Sequence, residues 1–337
     1  MTRRIAGLIA GLLGLAALGC PRVAGANCGA EGCPLAPQGP ESTIGRYSFN
    51  VGYQYVEASR SWDGNHEISA DEALAIEGGL GHIVEQLTLT RSWFVTARAG
   101  LTDRLFLTGT LPYVDRIHRH ALAHHAGYFI TSEWHMQGLG DASMLANWVL
   151  LKPADPRGSS LVIQAGAKLP TGETHAEEID GESPEPPARP GTGSTDALFG
   201  AQFRHSFVAP TLGGKSSSVP LSLSVTARVN GTGTESYRIG NEWQADLGTA
   251  YALTHGVQLL AQINMSAHGR DDVGTTDAEP HSTGATALFA SPGLRLEVVP
   301  GMSVFGYYQM RLYEHTNGPQ LVAPYHLSLG LGYALGR

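Results

Sequence analysis

Alternation with a period of two runs the length of the chain. In residues 46–56, Tyr47, Phe49, Val51, Tyr53 and Tyr55 share one face of an extended segment, with Ser48, Asn50, Gly52 and Gln54 on the other. Leu221, Leu223, Val225, Ala227 and Val229 oppose Ser222, Ser224, Thr226, Arg228 and Asn230 in the same way. So do Val257, Leu259, Ala261, Ile263 and Met265 against Gln258, Gln262, Asn264 and Ser266, and Leu327, Leu329, Leu331 and Tyr333 against His326, Ser328, Gly330 and Gly332. The pattern predicts about twelve strands: 45–57, 86–100, 105–118, 140–151, 160–169, 195–208, 220–230, 240–253, 256–267, 285–299, 302–313 and 325–336.

A soluble sandwich shows the same period, so the connections decide between the two. The links 101–104, 152–159, 209–219, 254–255 and 300–301 are mostly short. The alternate links 58–85, 119–139, 170–194, 231–239, 268–284 and 314–324 are mostly longer and more polar, although 209–219 is no shorter than 231–239. A sandwich has no reason to sort loop length by parity. A transmembrane barrel with both ends in the periplasm does, with short periplasmic turns and long outside loops. The expected fold is therefore all-β: a closed antiparallel barrel of about twelve strands in a Gram-negative type outer membrane, with the lipid bilayer as its first partner. Its insertion would call on barrel-assembly machinery. Tyr47, Trp93, Tyr113, Trp148, Trp243, Tyr251 and Tyr333 fall near strand ends on the outward parity, as interfacial girdles require. Arg91 takes that parity too, which calls for snorkelling or a bulge, and Pro112 and Pro292 mark bulges or strand ends.

The N-terminus reads as an export signal. Arg3 and Arg4 precede the uncharged run Ile5–Leu18, too short to span a bilayer. Cleavage after Ala26 is the preferred reading of residues 1–26; a lipobox ending in Cys20 is the alternative. Residues 27–44 then carry Cys28 and Cys33, which in an oxidising compartment form a small disulfide loop or, as the second reading, a metal-thiolate site. The barrel occupies 45–337. A 42% apolar composition suits strands with one lipid-facing side, and a net charge of −8 argues against nucleic acid as a partner.

Gly138-Leu139-Gly140-Asp141, Lys168-Leu169-Pro170-Thr171-Gly172, Pro190-Gly191-Thr192-Gly193-Ser194-Thr195-Asp196 and Leu111-Pro112-Tyr113 stand at strand–loop boundaries. In order and spacing they resemble the outer-membrane transporter family named for the MetA-pathway of phenol degradation. The likeness covers roughly 45–337 and is strongest over 86–208. It implies a barrel channel that admits small hydrophobic or aromatic solutes, and it transfers no catalytic set. Taken as residues, the motifs read equally as structural corners.

The inward parity collects Arg98, Arg116, Lys168, Arg204, Arg228, Glu242, Asp246, Arg295 and Arg311, expected to line the lumen as a pairing network or a solute path. Phe94, Phe106, Phe289, Phe305, Tyr307 and Tyr313 share that parity. Of 14 histidines, His118, His120, His124, His125 and His135 lie in or beside the link 119–139. Imidazoles so placed suggest Zn²⁺, Cu²⁺ or Ni²⁺ held by His118, His120, His124 and His125, or a solvated loop rich in His. The stretch 119–138 is expected to fold across or beside the mouth and to control access there. No paired carboxylates and no Ser–His pair at one outward position are visible, so an enzyme is not expected and no cofactor is required. Three functions compete: a passive channel for small organic solutes, a metal-capturing barrel, and a non-conducting structural barrel.

Overall fold

The computed structural model describes residues 47–77, 83–123, 129–152, 158–175, 184–210, 216–276 and 282–335. Cys20, Cys28, Cys33, His124 and His125 lie outside them, as do the segments 1–26 and 27–44 and the last two residues.

Twelve antiparallel strands close into a ring: β1 (Tyr47–Ala58), β4 (Ile83–Gly100), β5 (Leu105–Ala123), β7 (Ser143–Leu151), β8 (Ser159–Lys168), β9 (Asp196–Pro210), β10 (Ser216–Val229), β11 (Glu242–Thr254), β12 (Val257–His268), β13 (Ala285–Val299), β14 (Met302–Val322) and β15 (Tyr325–Leu335). The ring closes where β1 pairs with β15, from Tyr47 opposite Leu335 to Val56 opposite His326. Closure leaves no unpaired edge in the hydrocarbon region, the condition for a sheet to span lipid. Both ends of the barrel chain lie on the side of the short turns.

Alternation assigns the two faces. Tyr53, Leu223, Leu247, Ile263 and Leu329 point outward, Leu329 with 58% of its surface exposed, while Gln54, Arg228, Asp246, Asn264 and Arg311 point inward. Outward rings form two belts. Tyr53, Trp93 and Tyr113 run side by side across β1, β4 and β5, with centroids 5.2 and 5.9 Å apart, on the long-loop side. Tyr47, Trp148, Phe207, Tyr251 and Tyr333 stand toward the short-turn side. Arg91 needs no register slip. It lies two residues beyond Trp93, above the belt, and bonds Asp115 at 3.1 Å, which also meets His135 at 2.7 Å.

Three long links differ from expectation. The stretch 119–138 is not a loop over the mouth: β5 continues to Ala123 and pairs with β6 (Phe129–Leu139), from Tyr113 opposite Leu139 to Ala123 opposite Phe129. The alternation of Arg116, His118 and His120 with Ile117, Arg119 and Ala121 simply carries the strand past the membrane. Residues 58–85 fold into β2 (Arg60–Gly64), β3 (His66–Ile68) and helix α1 (Ala70–Glu77). The helix begins with a capping box in which Glu72 accepts from the Ser69 amide at 2.8 Å and Ser69 Oγ accepts from the Glu72 amide at 3.2 Å. The link 314–324 is mostly strand, and β2 pairs with its outer part.

β6 and β7 are one strand broken at Gly140-Asp141-Ala142. Pro112 stands opposite the break, and its carbonyl accepts the Gly140 amide at 2.9 Å. A Cβ on Gly140 would lie 2.8 Å from the Pro112 ring, so the corner tolerates only glycine. The proline read as a bulge marker thus turns the wall.

Candidate functional site

At that corner all four motifs meet. Lys168, the last residue of β8, points its ammonium between Asp141 at the break and Asp196, the first residue of β9, at 2.6 and 3.1 Å. It also donates to the Ser194 carbonyl and Oγ, both at 3.1 Å, and to Thr192 Oγ1. Asp141 accepts the Gly172 amide (2.9 Å), the Thr192 amide (2.9 Å) and the Thr192 hydroxyl (2.7 Å). Asp196 accepts Ser194 Oγ at 2.7 Å and the Gly231 amide at 3.0 Å. Lys168 is 6% and Asp196 1% exposed. Charges taken this far from water persist only when paired and hydrogen-bonded throughout, and this knot meets that condition. The glycines of the motifs serve it: backbone at Gly172 and Gly191 packs so closely that a Cβ on Gly191 would lie 2.5 Å from Gly172 C.

The knot ties a plug to the wall. Residues 184–195 lie against the inward side chains of β5 and β6, with Pro184, Pro186, Ala188 and Arg189 buried. A single 3₁₀ turn, Pro186–Ala188, rests on Trp134 and Met136 of β6. Arg116 of β5 holds it, donating through Nη1 to the Pro187 and Ala188 carbonyls, each at 2.7 Å, and through Nε to Thr90 Oγ1 at 3.0 Å. Arg189 pairs with Glu235 at 2.6 Å, and the Thr234 amide reaches the Thr192 carbonyl at 3.1 Å. The link 230–241 is in turn joined to 269–276. Tyr237 and the Gly240 amide bond Asp271, whose carboxyl burial nonetheless pushes above its usual range. Glu235 and Ser236 hold left-handed φ values of 56° and 58°, and Gly274 packs against their backbone where a Cβ would lie 2.5 Å away. The links after β8, β10 and β12 are thus cross-linked to one another, and the first of them lies on the inward face of the His-rich hairpin.

Below the plug the inward side chains sort into two groups. One is polar: Asp246 accepts Ser224 Oγ (2.9 Å), Gln244 (3.1 Å) and Asn264 (2.7 Å), and Ser291 donates to Asn264 at 2.6 Å. The other is aromatic. The Phe305 and Tyr307 rings lie flat on Gly330 and Gly293; a Cβ there would come within 2.2 Å of Phe305 and 2.6 Å of Tyr307. Arg98 sits 3.5 Å over the Phe106 ring. Arg228 pairs with Glu242 at 2.9 Å, Arg295 bonds Ser303 at 3.1 Å, and Arg311 faces Glu314 at 3.3 Å. Arg204 is half-buried opposite Ser222 and Ser160. Of the nine charged residues expected in the lumen, Arg116 and Lys168 therefore stand at the mouth as plug anchors, and the others are spread along the wall.

His118 and His120 lie side by side on the inward face of the hairpin, 5.8 Å apart, both against Trp134, and Thr88 Oγ1 meets His118 Nδ1 at 2.9 Å. Among the described residues no three His, Cys, Asp or Glu side chains converge as a metal would need. One Ser–His pair does face outward, contrary to the sequence expectation: Ser159 Oγ is 2.9 Å from His205 Nδ1 across β8 and β9. Cross-strand register, which the sequence did not show at that hairpin, creates it. Among the described residues no carboxylate bonds His205, so the orienting third group of a triad is missing there.

The family described as "Putative MetA-pathway of phenol degradation" matches residues 58–321. The crystal structure of an outer membrane channel from Pseudomonas putida F1 is similar, with a TM-score of 0.56 at 17% identity over 86% of this chain and 95% of that one. A Pseudomonas aeruginosa FadL homologue gives 0.45 at 12% identity over 94% and 99%. The transport unit of the Escherichia coli autotransporter AIDA-I gives 0.47 at 10% over 90% and 93%. Among curated proteins no sequence relative matches the chain.

Proposed function

The chain belongs to the family of the putative MetA-pathway of phenol degradation, and on that premise we propose that it is a passive outer-membrane channel for small hydrophobic or aromatic organic solutes. The observation that carries the reading is the pair of rings laid on glycine. Phe305, over Gly330 and only partly buried, meets the buried Tyr307 edge-on, so an organic solute finds an aromatic surface on the same inward face as the carboxylate, amide and hydroxyl ladder of Asp246, Asn264 and Ser291. The inward charges hold the wall and the plug more than they conduct. The reading assigns no reaction and calls on no cofactor.

Liposome swelling tests it: purified protein should admit phenol-sized neutral solutes faster than protein-free vesicles do, and identical rates would remove conduction. Gly330→Ala supplies a finer test. The new methyl must displace the Phe305 ring from the wall, at a stability cost of about 1–3 kcal/mol. Flux of ring-bearing solutes should fall while the barrel remains folded, as seen by heat-modifiable migration in gels.

A further inference from the structure

The turn Pro186–Ala188 occupies its seat as a ligand would. One guanidinium nitrogen, Arg116 Nη1, serves two carbonyl oxygens of the turn at 2.7 Å each, while Pro186 is fully buried and Ala188 packs with Trp134 and Met136. The seat has a built floor. Arg116 is 4% exposed and anchored to Thr90, and His118 stacks on Trp134 with planes 12° apart and centroids separated by 5.6 Å. His120 closes the side at 4.3 Å from the same ring. Trp134 is 7% exposed, and among the described residues its Nε1–H has no hydrogen-bond acceptor. An unserved indole donor one cross-strand pair along the hairpin from a guanidinium that holds two oxygens marks a place where an acceptor-rich group fits better than the backbone now filling it.

We infer that the seat under the turn is a recognition site for aromatic carboxylates, and that Pro186–Ala188 is its built-in occupant, displaced when such a solute arrives. The inference rests on the channel reading and names a solute class for it. The chemistry is an exchange. Two neutral carbonyls leave the guanidinium, and the two oxygens of one carboxylate replace them through charge-assisted bonds about twice as strong. The ring of the solute takes the apolar surface of Trp134 and Met136 that Ala188 vacates, where offset stacking on indole and imidazole is available. Aliphatic acids lack the ring and neutral aromatics lack the charge, so each should satisfy only half of the seat. The turn is also the centre of the plug, hence binding and opening are one event: the solute competes with the turn and moves it off the mouth.

The test uses the full-length mature protein in detergent and in liposomes, with benzoate, benzamide and acetate as probes at neutral pH. Calorimetric titration should give benzoate roughly tenfold or more tighter binding than benzamide, from the charged hydrogen bonds, with acetate weakest. Arg116→Met should abolish the preference for benzoate over benzamide. Pro186→Gly/Pro187→Gly, which loosens the occupant and leaves the seat intact, should strengthen benzoate binding, and it decides the question if Arg116→Met fails to fold. Equal binding of benzoate and benzamide, or a preference that survives in Arg116→Met, would overturn the site. If benzamide permeates liposomes while benzoate gains nothing, the channel stands and this inference falls. If no ring solute binds or permeates, both fall.

Discussion

Replacing Lys168 with Met is expected to cost the barrel about 3–5 kcal/mol, the penalty for leaving buried carboxylates without their counter-charge. Asp141 and Asp196 would keep their backbone and hydroxyl donors but lose the ammonium that both touch, at 2.6 and 3.1 Å. The knot joins the ends of β8 and β9 to the break between β6 and β7, so the wall and the plug should loosen together. Urea titration of the refolded protein, followed by gel mobility, measures the loss. Adding Asp141→Asn and Asp196→Asn should return much of it, because a neutral set of hydrogen-bonding groups no longer needs a cation. A loss under about 1 kcal/mol in the single variant would mean that the knot is hydrated in solution and carries little of the wall.

A second large effect follows from the two faces of β11. Leu247 faces outward, 46% exposed, between Leu223 and Ile263, while Gln244 faces inward opposite Thr226 and Ser266. Leu247→Arg places a guanidinium in the apolar band and should cost roughly 2–4 kcal/mol near the midplane. Gln244→Arg sets the same group beside the Asp246 carboxylate and should cost far less, because Gln244 already donates there at 3.1 Å. Equal destabilisation of the two variants would mean that β11 is not a membrane strand with this parity.

The period-two pattern made the ring of strands legible, because lipid on one side and polar lumen on the other impose opposite chemistry on neighbouring residues. Loop parity fixed which ends the chain would turn tightly. The mouth was harder to read. Nothing local in Arg119–Gly138 distinguishes a hairpin that outgrows the membrane from a loop, since the partner of each strand lies on the other leg. The plug was hidden for the opposite reason. Pro184, Pro186 and Pro187 have no periodicity, and the turn they belong to is seated by Trp134 and Arg116, about fifty and seventy residues away in sequence. The motifs were visible as strings, and Lys168 had inward parity. Their convergence on one ammonium required the register of four strands. Likewise Ser159 and His205 meet only because β8 and β9 pair in one particular register.

The proposed channel, with residues 184–195 anchored by Arg116 inside the barrel wall, leads to one decisive comparison. Proteoliposomes would be made with the intact protein and with a variant whose residues 184–189 are replaced by glycine and serine, sparing the Thr192–Asp196 knot. Swelling in a phenol-sized neutral solute is then recorded for both. A plugged channel gives slow but measurable uptake in the intact protein and several-fold faster uptake in the variant, with both barrels folded. No uptake above empty vesicles in either protein would identify a barrel that does not conduct and contradict the channel.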